Sequence, residues 1–186
     1  MLVQIGQKLE SDFHDPIGLL EDCHKRIFFF LKNLIRVTAE ADPQALDPAY
    51  RDTLENALRY FRESAPRHNA DEEESLFPRL RQMDGPQIDE LFTKIDSLES
   101  DHRWADRQQL EVDAICRRWL DDGTIPDSGR RRLQTILNTL LSFYERHIKL
   151  EETEVFSAAR TLLPASGKES IGLEMVERRK PAPERQ

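Results

Sequence analysis

Apolar side chains recur every three or four residues along four long stretches of the chain, and this period predicts four amphipathic helices. The pairs Asp15-Pro16 and Asp47-Pro48 each place a capping acid before a proline, which is typical of a helix start. Gly85-Pro86 and Asp127-Ser128 indicate two later starts. The predicted helices cover about 16–40, 48–82, 87–121 and 128–163, and a kink or break is expected near Pro78.

The stretches between these helices are short, and short connections favour antiparallel neighbours. We therefore predict an all-α fold, an up-down-up-down antiparallel four-helix bundle. The bundle is expected over residues 1–163, and a tail over 164–186. The tail carries a short amphipathic segment around Ile171 to Val176, which we expect to dock on the bundle or on a second chain. The basic run Arg178-Arg179-Lys180 is interpreted as a solvated end.

Each of the four apolar stripes contains one histidine. These are His24, His68, His102 and His147. Two stripes also contain a glutamate one helical turn later, Glu72 after His68 and Glu151 after His147. Burying a carboxylate without a partner costs on the order of several kcal/mol, so the group would normally take up a proton instead. A bound cation removes this cost. The alternative to metal binding is that the four histidines pack in the core with ordinary hydrogen-bond partners.

One pattern, which we call the repeated phrase, occurs twice in the chain, in PRHNADEEESLFP and in YERHIKLEETEVFS. His-x3-Glu places both side chains on one helix face, so they can reach the same metal cluster. Four imidazoles and two carboxylates exceed what one tetrahedral zinc requires. This donor set favours two iron or manganese ions with Glu72 and Glu151 as bridging candidates, and zinc remains an alternative.

Four segments together resemble the hemerythrin-like family, the HHE cation-binding domains, and in particular its bacterial single-domain members. The resemblance runs from about Asp15 to Leu163. It implies an antiparallel four-helix bundle around a non-haem di-iron centre, bridged by two carboxylates and an oxo or hydroxo group. Its markers are DPIGLLEDCHKRI with His24, HNADEEESLFPRL with His68 and Glu72, SDHR with His102, and YERHIKLEETEVF with His147 and Glu151.

The third helix departs from the oxygen-carrying members of that family. They have His-x3-His there, whereas His102 is followed four residues later by Asp106. The fourth-helix carboxylate also lies one residue nearer its histidine, a pattern similar to variants associated with iron binding and sensing. Reversible oxygen carriage is therefore disfavoured. Asp106 is a seventh ligand, a partner of a histidine or a solvated residue, and Glu73 and Glu152 are expected on a solvated face.

Three functions follow from these features. The first is a protein that senses, buffers or handles iron, oxygen or nitric oxide, with a small ligand such as O2 or NO at the metals. The second is a di-iron oxidase or a peroxide-consuming enzyme, and the third a metal-free helical interaction module. Ferritin-like enzyme sites are rich in carboxylates with Glu-x-x-His pairs, whereas this donor set is rich in histidine with His-x3-Glu, so binding is favoured over catalysis. The sequence also contains no nucleophile–base triad, phosphate loop or dinucleotide fingerprint.

Charge and composition limit the partners. The chain has 35 acidic and 27 basic residues and a net charge of −8, which argues against nucleic acid. No signal-peptide pattern begins the sequence, and the apolar run Ile27 to Leu31 is too short for a membrane span. Two cysteines make no disulfide framework, so a cytoplasmic location is expected. Whether the chain forms a homodimer is left open.

Overall fold

The computed structural model describes residues 11–85 and 88–180, and within them it contains helices and no strands, which confirms the all-α prediction. Two stretches have the wider turns of a π-helix; we call Asp71–Leu76 π1 and Glu151–Phe156 π2. The α-helices are α1 Pro16–Glu40, α2 Pro48–Glu63, α3 Ala65–Ala70, α4 Phe77–Leu80, α5 Ile88–Asp122, α6 Asp127–Leu150, α7 Ser157–Leu162 and α8 Ala165–Arg178.

The predicted capping residues start the first two helices. The carboxylate of Asp15 accepts a hydrogen bond from the backbone N–H of Gly18 (3.1 Å), and that of Asp47 accepts one from Ala49 (2.8 Å). Gly123 follows α5 with φ +69°, a left-handed conformation that glycine adopts without strain and that ends a helix. The predicted start at residue 87 lies outside the described residues.

Four arms form the bundle: α1, then α2-α3-π1-α4, then α5, and finally α6-π2-α7. Two apolar cores fill it. The first core joins the ends of α1 and α5 to the starts of α2 and α6, and the second joins the starts of α1 and α5 to the ends of the other two arms. Ends meet starts in both cores, so neighbouring arms are antiparallel, as predicted. Representative residues are Leu34, Leu54, Trp119 and Leu133 in the first core and Leu20, Leu76, Ile95 and Val155 in the second.

The second arm is not the single helix predicted over 48–82. It is interrupted at Ser64, two residues before Pro66, which lacks the N–H that would continue the ladder. Near Pro78 the irregularity takes the form of π1 rather than a break. The N–H of Phe77 reaches back to the carbonyl of Glu72, and this wider turn leads directly into the proline.

The tail forms a helix longer than the predicted segment 171–176. Ile171 and Met175 of α8 are fully buried in the second core, so α8 docks on the bundle of its own chain. Within the described ranges, none of the helices combines the length and apolar character needed to cross a membrane.

Candidate metal centre

A polar layer lies between the two apolar cores, and all six predicted site residues are in it. Each of the four arms contributes one imidazole, and π1 and π2 each contribute one carboxylate. All six side chains belong to residues that are at most 4% exposed: His24, His68, Glu72, His102, His147 and Glu151. The structure thus brings the whole predicted set together, and its role in ligation stays a prediction.

Two groups of ligand atoms share this layer. One atom each from His24, His68, Glu72 and Glu151 all lie within 4.8 Å of one another, and a second such group contains His102, His147 and Glu151. Glu151 therefore belongs to both groups. Its two oxygens lie 3.0 Å from Nε2 of His147 and 3.1 Å from Nε2 of His24.

Glu72 also approaches histidines from two sides. Its Oε1 lies 3.6 Å from Nε2 of His68, and its Oε2 lies 3.4 Å from Nε2 of His102. None of the four oxygens of Glu72 and Glu151 makes a hydrogen bond of good geometry within the described part of the chain. Buried carboxylates and imidazoles left in this way are costly. Nitrogen and oxygen donors converging on two adjacent points fit a pair of metal ions, which would satisfy these atoms.

The π-helical turns explain how two consecutive glutamates are used. A π turn takes about one residue more than an α turn. The side chains at positions four and five after the histidine therefore lie on either side of the direction that points into the bundle. Position four points into the layer, while position five reaches the histidine of a neighbouring arm. Oε1 of Glu152 lies 2.9 Å from Nδ1 of His24, and Oε1 of Glu73 lies 2.7 Å from Nδ1 of His102.

Glu152 is exposed and Glu73 partly exposed, in keeping with the solvated face expected for them, but both also contact histidines of the layer. Their side chains are 35% and 41% exposed, yet each fixes a histidine at its outer nitrogen. Oδ2 of Asp101 takes the same position beside Nδ1 of His147, at 3.3 Å. A carboxylate at Nδ1 leaves Nε2 free to face a metal and makes the imidazole a better donor. Asp101 directly precedes His102 in the segment SDHR. It was not predicted as part of the site, because no spacing pattern in the sequence points to it.

Burial and charge shift the pKa values of the layer in opposite directions. Burial raises the pKa of Glu72 well above its usual range, and the charge of Glu151 adds to this. Burial acts on Glu151 in the same direction, but His147, His102 and His24 outweigh it and hold its pKa well below the ordinary value. Glu72 is therefore favoured in its protonated, neutral form, and Glu151 in its ionised form.

The histidines divide in the same way. Burial opposes the charge of His24, but Glu151 and Glu152 outweigh burial and raise its pKa to about 9. Glu151 and Glu73 likewise raise the pKa of His102 to about 10 against the effect of burial. Burial and the neighbouring His24 hold the pKa of His68 well below its usual value.

Asp106 is not brought into either group of ligand atoms found among the described residues. It lies one turn after His102 and lines a cavity of about 260 Å³ between α2 and α5, together with Phe61 and Gln109. Burial raises its pKa, and His102 acts against this rise. Tyr144 is buried nearby and meets His147 edge-on, with ring centroids 6.4 Å apart.

Comparison with known proteins identifies a family and a relative of this chain. The family model of the Hemerythrin HHE cation binding domain matches residues 15–159, which is more than half of the chain and spans all six residues of the layer. A curated protein of Haemophilus influenzae (strain ATCC 51907 / DSM 11121 / KW20 / Rd) is 27% identical over 169 residues, covering 91% of this chain and 92% of its own length. It is described only as an uncharacterized protein.

Proposed function

The chain belongs to the hemerythrin HHE cation-binding domain family, and on that premise we propose that it binds two iron ions and handles iron, oxygen or nitric oxide. The observation that carries this proposal is the pair of ligand groups that share Glu151. His24, His68, Glu72 and Glu151 would hold one ion, and His102, His147 and Glu151 the other. An oxo or hydroxo bridge would join the ions in the oxidised state.

The two ions would have unequal protein ligation unless Glu72, whose Oε2 lies 3.4 Å from Nε2 of His102, also bridges them, since one group offers four ligand atoms and the other three. Two histidines and one carboxylate are the protein donors of many non-haem iron sites that keep open positions for an external ligand. The ion beside His102 and His147 is thus the better candidate for a small ligand such as O2 or NO. Iron in such a site supplies reversible redox change and affinity for these diatomic molecules.

Aromatic rings around the layer favour small ligands over bulky substrates. Phe156 stacks on His24 with ring centroids 5.4 Å apart, Phe143 on His147 at 5.3 Å, and Phe77 on His102 at 6.4 Å. These rings exclude bulk water and hold the imidazole planes in place. A dry, aromatic-lined centre suits buffering or sensing of a diatomic molecule, and leaves little room for a large organic substrate.

Metal content and absorption spectra test this proposal. Untagged full-length protein should contain about two irons per chain by mass spectrometry after anaerobic loading with ferrous iron. Its absorption bands in air should bleach on reduction and return with oxygen. Azide or nitric oxide should shift the bands if one ion keeps an open position.

Two variants make the test specific. Glu151→Gln removes the carboxylate common to both groups and should abolish loading of both ions. Glu154→Gln changes an exposed acid of the same turn, paired with Lys94 at 3.2 Å, and should load normally. Protein that stays free of metal after anaerobic loading, or that takes up zinc and refuses iron, would contradict the proposal.

A further inference from the structure

The residue that precedes Glu72 is an acid with no part in the ligand groups. Asp71 lies on π1 and is 0% exposed. Its carboxylate accepts hydrogen bonds from two arginines of α8: Nη1 of Arg178 donates at 2.8 Å, and Nη2 of Arg179 donates at 2.5 Å. The interpretation of the run 178–180 as a solvated end is thus wrong for its first two members.

The same helix holds π1 at a second point. The hydroxyl of Ser75, also 0% exposed, donates to Oε2 of Glu174 at 2.5 Å and accepts from Nη2 of Arg178 at 2.6 Å. Arg79 extends this contact, donating to the carbonyl of Ser75 at 2.8 Å and to Glu174 at 2.7 Å. Contacts from α8 therefore hold π1 near both its ends.

Apolar packing fixes α8 in its seat. Ile171 and Met175 are fully buried in the second core. Between them on the helix, Gly172 lies so close to the backbone of Phe13 that a β-carbon would overlap its carbonyl oxygen. The arginines of α8 are thus presented to Asp71 from a rigid position.

The repeated His-to-Glu phrase does not require this acid. When His68 is aligned with His147, the position of Asp71 corresponds to Leu150, which is partly buried and packs on the second core. A buried ion pair is weak evidence for stability, because desolvation of the charges offsets their attraction. Burying Asp71 costs desolvation energy, and the other copy of the repeated phrase has the apolar Leu150 at the equivalent position. The ion pair of Asp71 therefore suggests a role that is specific to π1.

We propose that α8 is a positioning element of the metal centre, which acts through Asp71 on the neighbouring Glu72. A π turn is rare and occurs mostly as a single turn inside an α-helix, often at a functional site, so we expect its shape to depend on outside support. The contacts of Arg178 and Arg179 with Asp71 hold the turn that aims Glu72 into the layer. Binding linkage is reciprocal, so metal loading must in turn tighten the docking of α8. This inference rests on the proposed metal binding.

Metal affinity of full-length variants tests the proposal. Asp71→Asn and the double change Arg178→Gln with Arg179→Gln should each weaken iron binding by about 10- to 100-fold, the usual effect of losing support around a ligand. Affinity is measured by competition with a chromophoric chelator, with the folded state checked by circular dichroism. Lys180→Gln, the third base of the run, pairs with Glu177 and should bind iron like the unchanged protein.

A second control separates positioning from stability. Leu133→Ala opens a cavity in the first core, away from π1, and should lower stability while leaving iron affinity unchanged. Arg179→Lys keeps the charge but loses the planar fork, and should weaken binding less than the double change. Equal affinity in Asp71→Asn and the unchanged protein would overturn the proposal, and so would an equal loss in Leu133→Ala.

Hydrogen exchange of the unchanged protein adds a readout that needs no variant. Amides of α8 should exchange more slowly in the iron-loaded protein than in the metal-free protein, and identical rates would overturn the proposal. Failure of the unchanged protein to load iron would instead contradict the proposed function.

Discussion

His24 and Glu152 are separated by 128 residues in the chain, yet Nδ1 of the histidine lies 2.9 Å from a carboxylate oxygen of the glutamate. Glu73 and His102 repeat this relationship at 2.7 Å. In both cases the glutamate belongs to an arm with the repeated phrase, and the histidine belongs to an arm without it. Each copy of the phrase therefore supplies a histidine, an inward carboxylate, and a second carboxylate that orients the histidine of a neighbouring arm.

Replacing either outer glutamate should weaken metal binding without removing a ligand. Glu73→Gln and Glu152→Gln keep the size of the side chain but lose the charge that holds the imidazole, and each should cost about 10- to 100-fold in iron affinity. Chelator competition measures this loss, with iron stoichiometry unchanged at saturating metal. The exposed neighbour Glu154 provides the control as Glu154→Gln. An affinity equal to that control would show that these contacts do not support the metals.

The period of apolar residues predicted the four arms and the six residues of the polar layer, because helix faces repeat with a fixed spacing. The π turns could not be predicted in this way. They change which carbonyl each N–H reaches and bring Glu73 and Glu152 against histidines of neighbouring arms, contacts that an α-helical wheel does not indicate. The aromatic stacking on the histidines likewise depends on how the arms pack.

The basic run at the end of α8 shows a second limit of the sequence. Charge clusters usually lie in solvent, and the partner of Arg178 is Asp71, 107 positions earlier in the chain. Nothing local to either residue indicates the other. The sequence indicated the amphipathic segment around Ile171. The surface on which it docks depends on how the helices of the bundle pack, and the sequence did not indicate that surface.

The two inward carboxylates should respond differently to neutralisation in the metal-free protein. The raised pKa of Glu72 means that it already favours a proton, so Glu72→Gln should change the free energy of unfolding by about 1 kcal/mol or less. The depressed pKa of Glu151 means that its charge stabilises the fold above the unfolded pKa and that this contribution is lost as the pH falls. Glu151→Gln should therefore cost about 3–5 kcal/mol near neutral pH, because it leaves buried imidazolium charge without its partner.

Urea unfolding of both variants, made metal-free with a chelator, measures this difference. The unchanged metal-free protein is the reference. Equal losses for the two glutamines would contradict the assignment of opposite protonation states to Glu72 and Glu151.

Both cysteines should be slow to react in the folded protein. Burial raises the pKa of the Cys23 thiol from 9.0 to about 11, and that of Cys116 from 9.0 to about 12. Because the thiolate is the reactive form, a rise of two pKa units lowers its population at about pH 8 by roughly 100-fold. Thiol titration with a chromogenic disulfide should therefore be at least that much slower in native protein than in protein unfolded by urea. A fast native phase of one thiol per chain would mean that Cys23, which is only partly buried, is reactive despite its position beside His24.

Asp106 should prove dispensable for binding both ions. It lies outside the two groups of ligand atoms in the described structure and instead lines the cavity between α2 and α5. Asp106→Asn should thus retain two irons per chain, with affinity close to that of the unchanged protein by chelator competition. Glu151→Gln, which should lose both ions, shows that the assay detects the loss of a ligand. If Asp106 were a seventh ligand, the asparagine variant would lose about tenfold or more in affinity at the ion beside His102, and azide would shift its spectrum differently.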